Sequence, residues 1–371
     1  MDVINPLTES SARHVSGRCL LNGSEVPFVS FSVENNAFRG AGTFELTLAI
    51  SALPPGMQLL NWWAVQTTIT VELFIAVMTQ AGVHEKKHIT GNIDTWQYEP
   101  GRFEISAEGR DFTAKLIDAK TTGESFKNLT SSQIATMLAQ RHGLTPVVTA
   151  TTQRVGEYYQ IDTAHLTGEQ TEWDLITSLA AIENFSVYVE GGSLHFGHGR
   201  ASACGNDYVI RWEPPGEQAF PRCNVSSDLT FARALTISKG VTVEVLSWNA
   251  KLKNRQFTAT YPARAGGTGP GKSTPDRQVY RVIRNGLTPD AARALAQSLY
   301  RQIIQHEMTF SCSLAGDNLL MPETSVRIEG TQSLFDQHYF CDRVRRTLST
   351  DSGYRMMISG KNHSSALEVT R

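Results

Sequence analysis

The sequence predicts a mainly β protein, with two antiparallel β-barrel domains and a small α+β domain inserted between them. Two observations carry this prediction. Polar and apolar residues alternate over short runs in both the early and the late parts of the chain, and such period-two alternation is typical of sandwiches and barrels. Helical spacing is concentrated between these runs, apart from one long helix further along.

Residues 1–108 form the predicted first β-barrel domain. The pair Asn22-Gly23 between apolar stretches is typical of a tight hairpin turn. In the run 43–50, one face of the predicted strand is apolar and consists of Phe44, Leu46, Leu48 and Ile50. This domain holds 6 Lys and Arg against 11 Asp and Glu, a charge of −5, and the remainder holds 28 against 25, a charge of +3.

Residues 109–200 form the predicted α+β domain. Thr130 or Ser131 can cap a helix that ends at Gly143, and a second helix is predicted from about 171 to 182. Trp173 begins the second helix, and we expect it to anchor the core of this domain. Asp111 is well placed to cap a short helix at the domain boundary.

Residues 201–371 form the predicted second β-barrel domain, with a Gly-rich loop at 265–274. Thr288-Pro289-Asp290 is a strong helix start, because a capping residue precedes Pro at the first helical position. We expect the helix, at about 289–306, to pack on the outside of the second barrel through Leu295, Leu299 and Ile303. We further predict that the two β domains share a similar topology, as after an internal duplication.

The composition excludes several classes of protein. The 371 residues are 40% hydrophobic and 19% charged, which is ordinary for a globular protein of two to four domains. The longest apolar run, Leu73 to Met78, is too short for a membrane helix, and we expect no membrane insertion and no secretory signal. A net charge of −2 argues against a protein whose main role is to bind the phosphates of nucleic acid. The cysteines predict free thiols, with no disulfide framework or zinc ribbon: Cys19, Cys204, Cys223, Cys312 and Cys341.

The segment His84-Glu85-Lys86-Lys87-His88 matches the HExxH motif of zinc peptidases, and Asp94 stands where a third ligand could lie. The motif requires a helix that places both histidines on one face. Gly82 and Gly91 flank it, however, and the residues that follow alternate as in a strand, which would separate His84 and His88 by about 13 Å. We therefore favour a charged hairpin and expect no stoichiometric zinc.

The segment 266–273 matches the GxxxxGKS pattern of a phosphate-binding loop, with Lys272 in the lysine position. Such a loop needs a buried strand before it and a helix after it. Pro275 follows closely, and 277–283 alternates as in a strand, so a Gly-rich surface loop without ATPase activity is the favoured interpretation. No catalytic, cofactor-binding or metal-binding residue is predicted anywhere in the chain, and no cofactor.

Two smaller features have structural interpretations. Trp62 and Trp63 are adjacent, and we interpret them as core residues of the first β domain and not as an exposed aromatic patch. Arg343, Arg345 and Arg346 are interpreted as a solvated face of a strand.

Several segments, in order along nearly the whole chain, resemble the phage tail protein D family, also called late control D. Its members are baseplate hub proteins of contractile tails in Mu-like and P2-like phages, and the N-terminal part of VgrG is related. The resembling segments are 109–118 (GRDFTAKLID), 131–135 with His142-Gly143-Leu144, 171–176 (TEWDLI), 187–196 (VYVEGGSLHF) and 319–328 (LLMPETSVRI). In the last segment Glu323 stands where Gly is usual in the family.

The resemblance implies a non-enzymatic virion protein of the tail baseplate, assembled in the host bacterial cytoplasm. It implies two tube-like barrels in each chain and a homotrimeric ring of pseudo-sixfold symmetry that joins a sixfold tail tube to a threefold central spike. The implied partners are the tail tube protein, the central spike protein, the tape-measure protein, and inner baseplate or wedge proteins. DNA would pass through without specific binding.

Two alternatives remain open at the level of sequence. The first is a tail-tip zinc peptidase or peptidoglycan hydrolase that uses His84, Glu85 and His88; a helix at residues 80–92 would favour it and a strand would oppose it. The second is the equivalent hub of a tailocin or a type VI secretion system, which has the same fold.

Overall fold

The computed structural model describes residues 14–37, 40–79, 82–121, 126, 129–152, 171–183, 185–198, 208–212, 228–238, 240–248, 256–262, 278–284, 287–304 and 307–362. In many of the strands, buried and more exposed side chains alternate along the chain. In Thr43–Ala49, for example, every second side chain is buried, as the sequence pattern predicts. The predicted mainly β fold is confirmed.

The first β region consists of seven strands. Their bounds are β1 His14–Leu21, β2 Ser24–Val26, β3 Ser30–Asn36, β4 Thr43–Ala49, β5 Thr70–Thr79, β6 Gly82–Glu99 and β7 Glu104–Asp111. A short helix α1, Leu60–Val65, lies in the connection from β4 to β5. Asn22 and Gly23 both have positive φ in the tight β1–β2 turn, as the Asn-Gly pair predicts.

The insert is a small α+β unit with its own core. Three helices pack beside a three-stranded sheet of order β8-β10-β9. The bounds are α2 Thr113–Asp118, α3 Ser131–Arg141, β8 Thr145–Val148, α4 Glu172–Glu183, β9 Ser186–Glu190 and β10 Ser193–Gly197. Thr130 caps α3 through a capping box with Gln133, and Gly143 has a positive φ just after the helix, as predicted.

The second β region consists of six strands that flank another small unit. Its strands are β11 Tyr208–Arg211, β12 Thr230–Arg233, β16 Met308–Ala315, β17 Ser325–Glu329, β18 His338–Ser349 and β19 Gly353–Lys361. Between β12 and β16 lie helix α5, Leu235–Ser238, and the outer unit, which comprises β13 Val241–Trp248, β14 Gln256–Tyr261, β15 Gln278–Ile283 and α6 Pro289–Ile304.

The position of α6 differs from the prediction. Leu295, Leu299 and Ile303 pack against the sheet β14-β13-β15 of the outer unit, in a core separate from that of the second β region. The helix begins at Pro289 as predicted and ends at Ile304. Its apolar stripe predicts a partner but not which one, and the nearest strands in the sequence supply it.

The two β regions have the same strand order. The first runs β3-β4-β7-β6-β5-β1 and the second runs β12-β16-β19-β18-β17-β11, so these six strands correspond one to one in chain order, and β2 is an additional strand of the first region. This confirms the predicted similarity in topology. One direction differs, because β11 runs parallel to β17 whereas β1 runs antiparallel to β5.

The two regions are not separate bodies, because β3 and β18 are hydrogen-bonded. Their strands form one open 13-stranded sheet with β12 and β2 at its ends. In β18, the first residues pair with β17 and the stretch Arg343–Ser349 pairs with β3. A single strand thus belongs to both halves of the sheet.

Candidate functional site: the seam between the two β regions

The seam is the contact between the two β regions, made by the β3–β18 ladder and by the docking loop, residues 316–321. In the ladder, Val33 lies opposite Arg346 and Glu34 opposite Arg345. On the exposed face, Arg345 donates to Glu45 at 2.9 Å, and Arg343 lies 3.5 Å from Glu34. The ladder and its ion pairs therefore connect residues 300 or more positions apart in sequence.

Asn318 fixes the docking loop onto β5 and β6. Its side-chain Nδ2 donates to the carbonyl oxygens of Ile75 and His84, at 2.9 and 3.0 Å. Its Oδ1 lies 3.0 Å from Nε2 of His88 and accepts from the Tyr354 hydroxyl at 3.1 Å. Because the amide nitrogen serves two carbonyls, the oxygen faces His88, so the imidazole donates from Nε2.

Arg346 is fully buried at the seam, which corrects the prediction of a solvated arginine cluster. Its Nε donates to the carbonyl oxygen of Asp317 at 3.1 Å, and its Nη2 donates to the carbonyl oxygen of Leu320. The guanidinium thus holds the docking loop by its backbone. The prediction holds for Arg343, which is exposed, and for Arg345, which is partly exposed on the outer face.

The docking loop is further shaped by Asp317, itself buried. Its carboxylate accepts from the backbone N–H groups of Leu319 and Leu320, at 2.9 and 3.1 Å, and from the Tyr208 hydroxyl at 2.5 Å. Burial, followed by the nearby carboxylate, raises the pKa of Tyr208, so this hydroxyl stays protonated and acts as the donor. The seam therefore contains a network of buried polar groups that are hydrogen-bonded to one another.

His84 and His88 lie on β6, a continuous strand, as predicted from the flanking residues. His84 is exposed, whereas His88 is 7% exposed and faces the seam. Burial, together with the nearby Arg346 charge, lowers the pKa of His88 to about 3. The arrangement required of a zinc peptidase, both histidines one helical turn apart, is absent from this described strand. No group of three or more metal-ligating side chains occurs among the described residues.

The residues 263–277, which include the GxxxxGKS segment and Lys272, lie outside the described residues. Their flanks are described. β14 precedes the segment and β15 follows it, and both pair with β13. The strand at 278–283 confirms the strand that was predicted after the segment.

The GRD motif joins the first β region to the insert. Gly109 passes so close to β6 that an added Cβ would lie 2.1 Å from the carbonyl oxygen of Asn92. Arg110 binds Asp94 on β6, at 2.6 Å, and Asp118 at the end of α2, at 3.3 Å. The motif thus supplies a close strand contact and a charged bridge.

Asp111 completes this motif. The N-cap position of α2 is Phe112, one residue later than the capping prediction placed it, and the Asp111 side chain binds the first N–H of the helix instead. Its carboxylate accepts from the N–H of Thr113, at the start of α2, and from the N–H of Gly42, at 2.9 and 2.8 Å. Burial raises the pKa of Asp111 to about 6, although both N–H groups favour the carboxylate.

Two of the other resembling segments, 142–144 and 171–176, meet in the insert. Glu172 is almost fully buried, and its carboxylate lies 2.5 Å from Nη1 of Arg141 and 2.5 Å from Nε2 of His142. This links the end of α3 to the start of α4. Trp173, the next residue, is 5% exposed within the core of the insert, as predicted.

The aromatic pair and the described cysteines are structural. Trp63 is fully buried and donates to the carbonyl oxygen of Met57 at 2.8 Å, whereas Trp62 is half-buried beside it. Cys19, Cys312 and Cys341 are buried free thiols. Cys204 and Cys223 lie outside the described residues.

Comparison with known proteins identifies the fold. The sequence matches no family model and no curated protein. The tail protein of Neisseria meningitidis MC58 superposes with a TM-score of 0.67 at 15% identity, over 94% of this chain and 96% of that chain. The 43 kDa tail protein of prophage MuSo2 from Shewanella oneidensis gives 0.66 at 15% identity, over 96% and 100%.

A chain of the lidded Francisella PdpA-VgrG complex gives a TM-score of 0.54 at 7% identity, over 97% of this chain and 54% of that chain. None of the described helices is both long and apolar enough to span a membrane. The resemblance that the sequence motifs predicted is thus confirmed in three dimensions: this chain has the fold of phage tail proteins, shared with a chain of the PdpA-VgrG complex.

Proposed function

We propose that this chain is the structural baseplate hub of a contractile phage tail. Three copies would form a ring of pseudo-sixfold symmetry that joins the tail tube to the central spike. The observation that carries the proposal is the likeness, over almost the full length of both chains, to two phage tail proteins.

The duplicated strand order supports the ring. A ring of three chains can present six near-equivalent sites to a sixfold tube only if each chain supplies two similar surfaces. The corresponding strands of the two β regions are the candidates for these surfaces. The seam would hold them at a fixed angle, because a hydrogen-bonded ladder and a buried polar core join them.

The proposed partners follow from this role. They are the tail tube protein on the sixfold side, the central spike protein on the threefold side, the tape-measure protein, and inner baseplate or wedge proteins. DNA would pass through the ring without specific binding. The proposed location is the virion tail baseplate, after assembly in the host bacterial cytoplasm, and the proposed role is non-enzymatic.

Native mass and electron microscopy test the proposal directly. The purified chain is expected at the mass of three copies of 40.9 kDa, and class averages are expected to show a ring with six lobes. A stable dimer, or a particle without sixfold features on one face, would contradict the symmetry-adapting role.

A type VI secretion hub is the second candidate, and the likeness to a chain of the PdpA-VgrG complex favours it. This chain spans about half of that chain, so in a secretion system the remaining part would come from another protein. Imaging of the particle that contains the chain separates the two: a DNA-filled head indicates a phage, whereas a tailocin or secretion particle has none.

The peptidase alternative meets an obstacle in the structure, because His84, Glu85 and His88 lie on a strand. Elemental analysis of the purified protein is expected to find no stoichiometric zinc. One zinc per chain that is lost in both His84→Ala and His88→Ala would restore the peptidase hypothesis.

A further inference from the structure

Several strand edges of the large sheet have no described partner, and those of β12 and β6 are two of them. β12 pairs with β16 on one side only. β6 pairs with β5 through residues 82–92 and with β7 through residues 91–99, so the edge of 95–99 that faces away from β7 pairs with no described strand. Open backbone edges of this kind are templates for another strand.

β6 and β18 correspond around the point where each gains its second partner. β6 pairs with β5 and then, from Gly91, with β7, whereas β18 pairs with β17 and then, from Phe340, with β19. Each strand carries a bulge just after this point, at Asp94 and at Asp342. Each bulge aspartate binds a cation on the neighbouring strand: Asp94 binds Arg110, and Asp342 binds Lys361 at 3.2 Å.

The adjoining glycines repeat the correspondence. Gly109 lies opposite Phe44 on β4, and Gly360 lies opposite Phe310 on β16. At both glycines an added Cβ would strike that phenylalanine ring and a backbone carbonyl oxygen, of Asn92 on β6 or of Phe340 on β18. The alignment therefore places Asn92 with Phe340 and Phe44 with Phe310.

The same alignment relates β12 to β3. Val33 lies opposite Phe44, and Phe231 lies opposite Phe310. Phe231 of β12 therefore corresponds to Val33 of β3. Within the chain, β3 fills the open edge of β18, with Val33 opposite Arg346. The equivalent edge of β6, around Tyr98, has no such strand among those described.

We propose that β12 of one copy fills this edge of β6 in the next copy. In this pairing β12 takes the place of β3, and β6 takes the place of β18. If the register of β3 on β18 is kept, Phe231 lies opposite Tyr98 and Ala232 lies opposite Gln97. The pairing is antiparallel, and its repetition closes the ring. The inference rests on the proposed ring and specifies how its copies meet.

The charge distribution agrees with this head-to-tail contact. Residues 1–108, which contain β6, carry a charge of −5, whereas residues 201–371, which contain β12, hold 21 Lys and Arg against 15 Asp and Glu. Opposite charges steer an acidic region of one copy toward a basic region of the next. A contact of like regions, β6 to β6 or β12 to β12, would lack this attraction.

Cysteine cross-linking tests the register. Ala232 and Gln97 are both exposed, so the double variant Ala232→Cys/Gln97→Cys is expected to fold. Residues directly opposite on antiparallel strands have Cα atoms about 4.5–5.5 Å apart, which suits a disulfide. Mild oxidation is expected to convert the protein to a covalent trimer on a denaturing gel, reversed by a reductant.

Two control variants test the cross-link, one within a single chain and one in a shifted register. Glu34→Cys/Arg345→Cys joins the equivalent positions within one chain, and it is expected to cross-link without a gain in mass. Ala232→Cys/Thr95→Cys shifts the register by two residues, which moves the Cα atoms about 7–8 Å apart, and it is expected to cross-link poorly.

The outcomes separate the inference from the proposed function. A native trimer in which the Ala232/Gln97 pair fails to cross-link would overturn the strand pairing and leave the ring standing. A chain that stays monomeric at all concentrations would overturn both. A cross-link without a gain in mass would mean that β12 reaches β6 of its own copy, and this would overturn the pairing between copies.

Discussion

Gly109 is the point of closest approach between β7 and β6. Replacing it by Ala would place a Cβ against the backbone of Asn92, which cannot move aside as a flexible side chain can. We expect Gly109→Ala to lower the free energy of unfolding by about 1–3 kcal/mol, as overpacking does. Gly101→Ala is the control, because an added Cβ there meets nothing within 4 Å. Equal unfolding midpoints in denaturant for the two variants would contradict the close contact.

His88 makes the chain sensitive to acid. Its folded pKa, about 3, lies below the ordinary value near 6.5, so between these pH values the unfolded chain binds a proton that the folded chain does not. This contribution to stability is therefore present above about pH 6.5 and is lost as the pH falls, by about 1.4 kcal/mol per unit.

The matched histidine on the same strand provides the control for this pH dependence. His88→Gln keeps a donor for Asn318 and cannot be protonated, so unfolding midpoints measured from pH 7 to pH 4 are expected to fall less steeply than in the wild type. His84→Gln, at an exposed position, is expected to keep the wild-type slope. A slope that is unchanged in His88→Gln would show that His88 is not the group responsible.

Arg346 shows what residue-level interpretation of the sequence missed and why. Charge alone predicted a solvated cluster, but in a strand adjacent residues point to opposite faces. Arg346 shares its face with Val344 and Leu348, both buried. The alternation therefore already placed it inside, and a buried arginine was the signal of a seam.

Among the elements, α4 depends most on one side chain. Trp173 is 5% exposed in the core of the insert, and truncation of a buried Trp costs about 3–5 kcal/mol. Trp173→Ala is expected to lower the melting temperature by many degrees, whereas Met137→Ala, at an exposed position on α3, is expected to change it little. A Trp173→Ala variant that melts within a degree or two of the wild type would contradict the core assignment.

The turn before β17 retains a backbone conformation that favours glycine. Glu323 has a φ of 68°, and the N–H of Thr324 donates to the carbonyl oxygen of Met321, so Pro322 and Glu323 occupy the central positions of a type II turn. The sequence left this turn in doubt because Glu stands where the resembling family has Gly. The turn nevertheless forms, and the backbone of Glu323 adopts the left-handed conformation.

Glu323→Gly is therefore expected to stabilise the chain by about 1 kcal/mol, because it relieves the cost of a positive φ in a residue that has a Cβ. Thr324→Gly, at the next position, is expected to destabilise it, since the backbone there is not left-handed. Chemical denaturation of both variants measures the difference. A loss of stability in Glu323→Gly would mean that side-chain contacts of Glu323 outweigh the strain.

Elements and their order were more predictable than their packing partners. Alternation and capping signals placed the strands, α3 and the start of α6, because those signals are local. The partner of α6 and the β3–β18 ladder depend on contacts distant in sequence, and an apolar stripe or an open edge does not specify its partner.

At the scale of the molecule, the seam makes one mechanical unit of the two β regions. We expect calorimetry and hydrogen exchange of β3 and β18 to report a single unfolding transition, because the backbone hydrogen bonds of each strand are shared with the other. Asn318→Ala, which removes the fixation of the docking loop, is expected to lower that transition. Two transitions in the wild type, one for each region, would show that the seam is weak.

The similarity of the two β regions was predicted from the alternating strands on both sides of the insert and from the symmetry of the implied ring, without a literal repeat. The correspondence of β6 with β18 shows why no repeat was visible. The conserved features are positions: a bulge aspartate, a cation partner and a close-approach glycine, spread over strands in which the other residues differ.

The pairing of β3 with β18 also implies a delay during synthesis, because β18 is made long after β3. A ribosome that adds about 5–20 residues per second needs roughly 15–60 s to make the more than 300 residues that separate the paired strands. During that interval the nascent first region exposes the backbone of β3, on which other unfinished chains can pair and aggregate. Chaperone cover, or delayed closure of the first region, is thus a requirement of this topology in the cell.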